Sequence, residues 1–297
     1  MLAFLVTVMV LCYTCQSLFT KLYSANYKGN NAALSSPIFS ICFGGFIGLA
    51  TLVVNGFSFA PSWQTVLFGV LNAAMLLLYN TSLIEAGNRG SYSFLMICNM
   101  FGAIIVPLFV GVVFLGETLT LMQIIAIVLM LISFVVMNAR SLSLKGASGT
   151  YYIWCALLFL ANGLYSTIMN AQQQTMLNLS LPAQRTEMIA ISYVGMALVS
   201  FIMQYVQGGS KRIKEGFSMG KKSALFVLMC CLVATLASNL LLYVLTQMPS
   251  SILYTIDNGG VLVLSILCSF VIFREKPTWE QVLGMVMAVV SIVMISL

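Results

Sequence analysis

Histidine occurs nowhere in this chain of 297 residues. Its absence removes the usual base at neutral pH and the commonest protein metal ligand. Charge is nearly as scarce, since only 7% of residues are charged and seven of them are acidic. A soluble globule carries about a quarter of its residues charged, and a chain that is 61% apolar cannot dress its surface in that way. The composition is that of a polytopic membrane protein. There is also no phosphate-cradling glycine loop, no Walker sequence and no acidic cluster with metal spacing. ATP-driven pumping and metal-assisted hydrolysis therefore lack their parts, and neither an enzyme nor a cofactor is expected. The net charge of +6 follows from membrane orientation and is no sign of nucleic-acid binding.

What the chain has in abundance is long apolar runs. An α-helix needs about 17 to 25 such residues to cross a bilayer. Ten runs qualify, at 2–24, 34–54, 64–86, 91–114, 119–138, 151–171, 185–206, 222–246, 251–273 and 279–296. They are continuously apolar and twice the length of a barrel strand, which excludes a membrane barrel. No basic residue precedes the apolar start, so the first run is expected to be a retained span and not a signal peptide. Connections such as Gly87 to Gly90 and Gln247 to Ser250 are short enough to force antiparallel hairpins. The one long polar connector, Gln207 to Lys222, reads as a solvated loop. The eight cysteines, Cys12, Cys15, Cys42, Cys98, Cys155, Cys230, Cys231 and Cys268, all fall inside apolar runs and read as small buried hydrophobes. Cys12 and Cys15 have redox or metal spacing but no second pair to complete a site.

Much of the chain is written twice. Leu76-Leu77-Leu78-Tyr79 returns as Leu240-Leu241-Leu242-Tyr243, and Leu115-Gly116-Glu117-Thr118-Leu119-Thr120-Leu121-Met122-Gln123 aligns with Phe273-Arg274-Glu275-Lys276-Pro277-Thr278-Trp279-Glu280-Gln281. Ten spans in two copies give five per copy, residues 1–140 and 151–297, joined by a connector at 141–150. An odd number of crossings turns the second copy upside down, the inverted repeat of many secondary transporters. The bases agree with this. Lys21, Lys28, Arg89, Arg140, Lys145, Lys211, Arg212, Lys214, Lys221, Lys222, Arg274 and Lys276 lie on the side of the odd-numbered loops, and Arg185 alone lies on the other. Since bases concentrate in cytoplasmic loops, both termini are expected outside the cell.

Ten helices in two five-helix halves, with a Leu-Gly-Glu-Thr-Leu-Thr or Arg-Glu-Lys-Pro-Thr junction before the last helix of each half, resemble the drug/metabolite transporter superfamily, EamA type. The resemblance covers nearly the whole chain and is best in spans 3 to 5 and 8 to 10. It implies a basket of helices around a central cavity, spans 5 and 10 packed away from the pathway, and alternating access. Members carry amino acids, sugars, nucleotide-sugars, quaternary amines and drugs, so the likeness does not select a substrate. Arg274 stands where the first junction has Gly116.

Glu117 and Glu275 each precede an apolar run, where the carboxylate and the neighbouring Thr118 or Thr278 are expected to cap free amides and oppose the helix dipole. Thr120, Gln123 and Gln281 share that reading. Gly44, Gly45 and Gly48, and Gly259 with Gly260, suit close helix approach.

Polar groups inside the spans point to function, because hydrocarbon penalises them unless they pair or face water. Asp257 stands out. It lies about 10 Å into a core about 30 Å thick, counting 1.5 Å per residue. The repeat offset pairs it with Asn99, equally deep from the opposite face, and both approach the midplane where inverted-repeat transporters place their substrate. Tyr254 and Asn258 flank Asp257, as Tyr92, Ser93 and Met96 precede Asn99. Further candidate pocket walls are Tyr13, Gln16 and Ser17, then Asn162, Tyr165, Ser166 and Asn170, then Asn72, Tyr79 and Asn80, then Ser238, Asn239 and Tyr243. For any one of these the alternative is a helix-to-helix hydrogen bond. Asp257 is expected either to take up a proton or to hold a cationic group, helped by the face of Tyr254 or Tyr243. Lys21 has a stem long enough to snorkel to the interface, the alternative being a role as an anion ligand or as partner of Asp257. Glu85 with Arg89, and Arg185 with Glu187, read as interfacial.

The expectation is a secondary active transporter of a small polar or amphipathic metabolite across the plasma membrane. A proton-coupled exporter of drugs or amino acids is the alternative. A channel would need a symmetric ring of polar groups, where this chain offers two unlike halves around one carboxylate. The partners expected are the small-molecule substrate, the lipid bilayer and, in the coupled reading, a proton.

Overall fold

The structure, a computed structural model, describes residues 2–28, 34–87, 89, 92–114, 116–139, 148–273 and 278–296. For helical residues 21, 24, 25, 84, 87, 92, 93, 265, 266, 269–273 and 296 it describes the backbone alone. Among the described residues there are ten helices and no strand: α1 (Leu2–Asn26), α2 (Ser35–Val54), α3 (Trp63–Gly87), α4 (Tyr92–Phe114), α5 (Leu121–Asn138), α6 (Gly149–Asn178), α7 (Arg185–Phe217), α8 (Lys221–Val244), α9 (Ser250–Phe273) and α10 (Trp279–Ser296). Eight of them are long and apolar enough to cross a membrane, and Trp279–Ile295 is apolar but shorter. The membrane protein inferred from composition is therefore an all-helical, multi-pass one.

Two helices run past their expected ends. α6 continues to Asn178 because Gln172 and Gln173, which look like loop residues, are fully buried. Gln172 Nε2 donates to Thr65 Oγ1 at 2.9 Å, and both side-chain amide nitrogens reach the Ala183 carbonyl, so their donors are paired inside the protein, while Gln173 Oε1 is buried with no partner among the described residues. α7 overturns the solvated loop at Gln207 to Lys222. The chain breaks only at Gly208 and Gly209, the latter at φ +62° and ψ −161°, a conformation open to glycine, and then resumes as helix to Phe217.

The residues fall into two compact units, each drawing on both halves of the sequence. One comprises Cys15–Asn80 and Ile168–Tyr243. Here α2 lies along α7, and the approach depends on absent side chains: a Cβ on Gly44 would run into the Tyr193 carbonyl, and one on Gly48 into Val194. Gly45 meets nothing, so the expected packing role holds for two of that trio. Asn72 Nδ2 donates to Ser192 Oγ at 3.2 Å, and the Tyr193 hydroxyl meets Ser238 Oγ at 3.1 Å, fixing α3 and α8 on α7.

The other unit comprises Met1–Thr14, Thr81–Thr167 and Val244–Leu297. Its core is the α5–α10 pair, with Ile127, Met130, Phe134 and Met137 facing Ala288 and Ile295. Apolar helices gain no hydrophobic term from leaving lipid, so close packing and hydrogen bonds must hold them together. Ser291 Oγ donates to the Ala126 carbonyl at 2.6 Å, and Gly284 admits the backbone of Ser133. α9 packs on α4 and α10, with Gly259 opposite Met130 and Gly260 opposite Val10.

The ends of α5 and α10 correct one expectation. α5 is capped by Thr120 and Gln123: the Gln123 amide donates to Thr120 Oγ1 at 3.3 Å and the Thr120 amide to Gln123 Oε1 at 3.0 Å. Thr278 and Gln281 repeat the same exchange before α10, the Gln281 amide donating to Thr278 Oγ1 at 3.4 Å and the Thr278 amide to Gln281 Oε1 at 2.9 Å. This reciprocal box satisfies two orphan amides and leaves α5 no need of a carboxylate. Glu117 and Thr118 do not cap α5. Glu275, with Arg274 and Lys276, lies outside the described residues, as do Arg140, Lys145 and the side chain of Lys21. The cysteines also depart from expectation: Cys155, Cys230 and Cys231 are buried, Cys15 is exposed, and the rest are intermediate. An exposed thiol on an apolar helix is tolerated where the surroundings are lipid.

Candidate functional site

The carboxylate of Glu117 holds the start of another helix, α9. Oε1 accepts from the Ser250 hydroxyl at 2.8 Å and the Ser250 amide at 3.1 Å, and Oε2 accepts from the Ser251 hydroxyl at 2.7 Å and the Ser251 amide at 3.4 Å. These amides are among the four that a helix N-terminus leaves without intrahelical partners, and an anion there also meets the positive end of the dipole. Glu117 is itself held in place by its own amide, which donates to the Gly111 carbonyl at 2.9 Å. The α4–α5 junction thus fixes where α9 enters.

One turn further along α9, the buried Tyr254 donates its hydroxyl to the Ser166 carbonyl of α6 at 2.8 Å. α6 in turn crosses α4 at a pair of glycines. A Cβ on Gly102 would overlap the Phe159 carbonyl, and one on Gly163 would overlap Val106. That close approach lets Asn162 Nδ2 reach both the carbonyl and Oδ1 of Asn99, at 2.9 and 2.8 Å. Ser166 Oγ donates back to the Asn162 carbonyl at 3.1 Å, as polar residues in apolar helices commonly do. α4, α6 and α9 are joined into a single polar seam.

Asp257 stands one turn beyond Tyr254 on the same helix. Its Oδ1 is buried and has no hydrogen-bond partner among the described residues. The ion pair those residues do contain is the exposed Glu85 with Arg89, so it leaves Asp257 alone. Asn258, next to it, spends its Nδ2 on the Tyr254 carbonyl at 2.8 Å. A carboxylate oxygen in apolar surroundings with an empty acceptor site can be relieved by a proton or by a cation bound from outside.

Asp257, Asn258, Tyr254, Asn99 and Asn162 therefore belong to one seam, and Tyr165 and Tyr13 to the same compact unit. Gln16, Ser17, Tyr79, Asn239 and Tyr243 belong to the other. Within that unit Gln16 Oε1 is buried without a partner among the described residues, Ser17 is exposed, and Asn239 Nδ2 is taken by the Thr235 carbonyl at 2.8 Å. Asn80, also expected as a pocket wall, donates to Ser40 Oγ at 3.3 Å. The Arg185 guanidinium lies 5.3 Å from the centre of the Tyr243 ring, so one face of that ring already holds a cation of the chain itself. The side chains of Tyr92 and Ser93 lie outside the described residues.

Sequence reasoning missed Ser250 and Ser251, and the glycine pair Gly102 and Gly163. The serines carried a signal, being two hydroxyls at a helix start with a free carboxylate elsewhere in the chain. The glycines are single residues in apolar runs and carried none.

Residues 152–297 match the model of the EamA-like transporter family. The chain is a member of the drug/metabolite transporter superfamily. A solved structure described only as the crystal structure of a protein is similar to it at a TM-score of 0.73, with 14% identity, covering 99% of this chain and 95% of the other. At that identity the likeness concerns the fold alone. No curated protein matches the sequence. The EamA match covers α9 and most of α6, so Tyr254, Asp257, Asn162 and Ser166 all lie within the matched half.

Proposed function

We propose that this EamA-family protein is a secondary active transporter of a small polar or amphipathic metabolite, working by alternating access at the plasma membrane with both termini outside. In this reading residues 1–140 and 151–297 are inverted repeats around a central cavity, and the seam of α4, α6 and α9 contributes the substrate site. The observation that carries it is the buried oxygen of Asp257, without a partner among the described residues, beside a network whose other members bond one another. A structural Asp at that depth would be expected to have a partner, since an uncompensated charge at mid-bilayer is unfavourable by ~2.5–3.5 kcal/mol on insertion scales. The repeat reading draws support from the helix pairs: α5 lies on α10, α4 on α9 and α2 on α7, each a helix with its counterpart from the other half.

Asp257 serves by holding a proton or the amine or quaternary nitrogen of the substrate. With a proton as its ligand the protein is a proton-coupled exporter of drugs or amino acids; with a permanent anion it selects cationic metabolites. A thermal-shift screen of the purified chain against amino acids, sugars, nucleosides and quaternary amines identifies the ligand, because a molecule that binds only the native state stabilises it. Uptake of that ligand into proteoliposomes is then compared for the wild type and Asp257→Asn from acid to neutral pH. The variant should reach the membrane folded and lose transport, or lose its pH dependence. Wild-type rates at every pH would make the carboxylate structural and remove it from the site.

A further inference from the structure

We propose that the break in α7 builds a seat for an anionic phospholipid, with the headgroup phosphate held by lysines of the short helix at residues 210–217 and the acyl chains lying along α7. The break itself is the first observation. From Arg185 to Gln207 the helix is 23 residues long, which at 1.5 Å per residue is about 34 Å, enough to span a bilayer. Gly208 and Gly209 then release the chain into a second, short helix at residues 210–217. Gly220, at φ +83°, ends the excursion just before α8.

The short helix is anchored on one side and open on the other. Gly216 is buried against Ile38, and its carbonyl accepts the Tyr27 hydroxyl at 2.9 Å. The carbonyl of the buried Met219 accepts from the Lys28 amide at 3.4 Å, which draws Lys28 alongside. On the open side, Lys211 and Lys214 are three residues apart and share a face, both exposed. Lys28, Lys221 and Lys222 are exposed in the same compact unit, and Arg212 is turned back to Gln204 Oε1 at 2.9 Å. Six of the chain's 13 bases gather here around a single acid, Glu215, and none of the six is ion-paired among the described residues.

The apolar half of the seat is on α7. Leu198, Ile202, Tyr205 and Val206 are exposed at three- and four-residue intervals, so they form one stripe that runs to the break, and Phe217, three residues from Lys214 on the short helix, is exposed too. A stripe of apolar side chains ending at clustered lysines matches a phospholipid end to end. Zwitterionic lipid satisfies the stripe alone, whereas a net negative headgroup satisfies both halves. Each base close to a membrane surface strengthens attachment about fivefold.

The test uses the full chain in nanodiscs with Phe217→Trp as reporter, its emission taken as the difference from the parent protein. Brominated phosphatidylglycerol, diluted into phosphatidylcholine, should quench the reporter several-fold more than brominated phosphatidylcholine at the same mole fraction. The excess should vanish in Lys211→Gln/Lys214→Gln, whose exposed side chains leave the packing of Gly216 and Met219 untouched. Equal quenching by the two lipids would overturn the proposal. So would an excess that survives in the double variant, or one removed by inorganic phosphate but not by chloride at equal ionic strength, which would identify a site for soluble phosphate. None of these outcomes depends on what the protein transports.

Discussion

Replacing Glu117 by glutamine keeps the volume of the side chain and removes one acceptor. In the wild type, Oε1 serves Ser250 and Oε2 serves Ser251. A glutamine keeps one of these sets and turns an NH₂ toward the other, where the Ser251 hydroxyl at 2.7 Å and the amide at 3.4 Å are both donors. The amide contact is long and contributes little. The loss is thus one charge-assisted hydrogen bond together with a donor facing donors, about 2–3 kcal/mol for a partly buried group. If it falls on the opening of the first turn of α9, amide protection at residues 251–254 should drop by about 30- to 150-fold, since each 1.4 kcal/mol is tenfold. Hydrogen exchange of the purified protein, read by mass spectrometry on peptides from α5 and α9, measures this directly. Protection at 121–124 should not change, because the Thr120 and Gln123 box is independent of the carboxylate. Loss of protection at the start of α5 with α9 unchanged would show that the glutamate caps its own downstream helix, and the clasp on α9 would be refuted.

Thr120→Ala should give the complementary pattern, a loss of about 1 kcal/mol confined to the first turn of α5, read in the same exchange experiment. Gly102→Ala places a methyl group on the backbone of Phe159, and forced overpacking of this kind costs about 1–3 kcal/mol; the melting temperature in detergent should fall, whereas Gly45→Ala, whose methyl meets nothing inside α2, should not lower it. Tyr254→Phe removes the donor to Ser166 while keeping the ring, so a fall in ligand affinity with little change in melting temperature would support the seam as a binding wall, and unchanged affinity would count against it. A cysteine placed at Ser218 should resist membrane-impermeant label in intact cells and one at Ser58 should react, if the loops are oriented as the charges suggest; the reverse pattern would invert the orientation.

The sequence by itself determined the solvent and the element type. Apolar runs of bilayer length admit little but helices, because lipid satisfies no backbone group, and the doubled junction placed Thr120 with Gln123 and Thr278 with Gln281 at the same spacing before α5 and α10. It also singled out Asp257, since one carboxylate in an apolar run needs no neighbours to be conspicuous. What it could not determine was which groups meet. Glu117 sits beside α5 in the chain and its carboxylate acts on α9, 133 residues away. Asn162 finds Asn99 only because two helices close over Gly102 and Gly163, and a missing side chain announces no partner. Gln172 and the helix at 210–217 read as loop because polarity marks a surface in local sequence. Gln172 is helical and buried because it meets Thr65, and the short helix is held because Gly216 packs on Ile38, contacts that only the tertiary structure supplies.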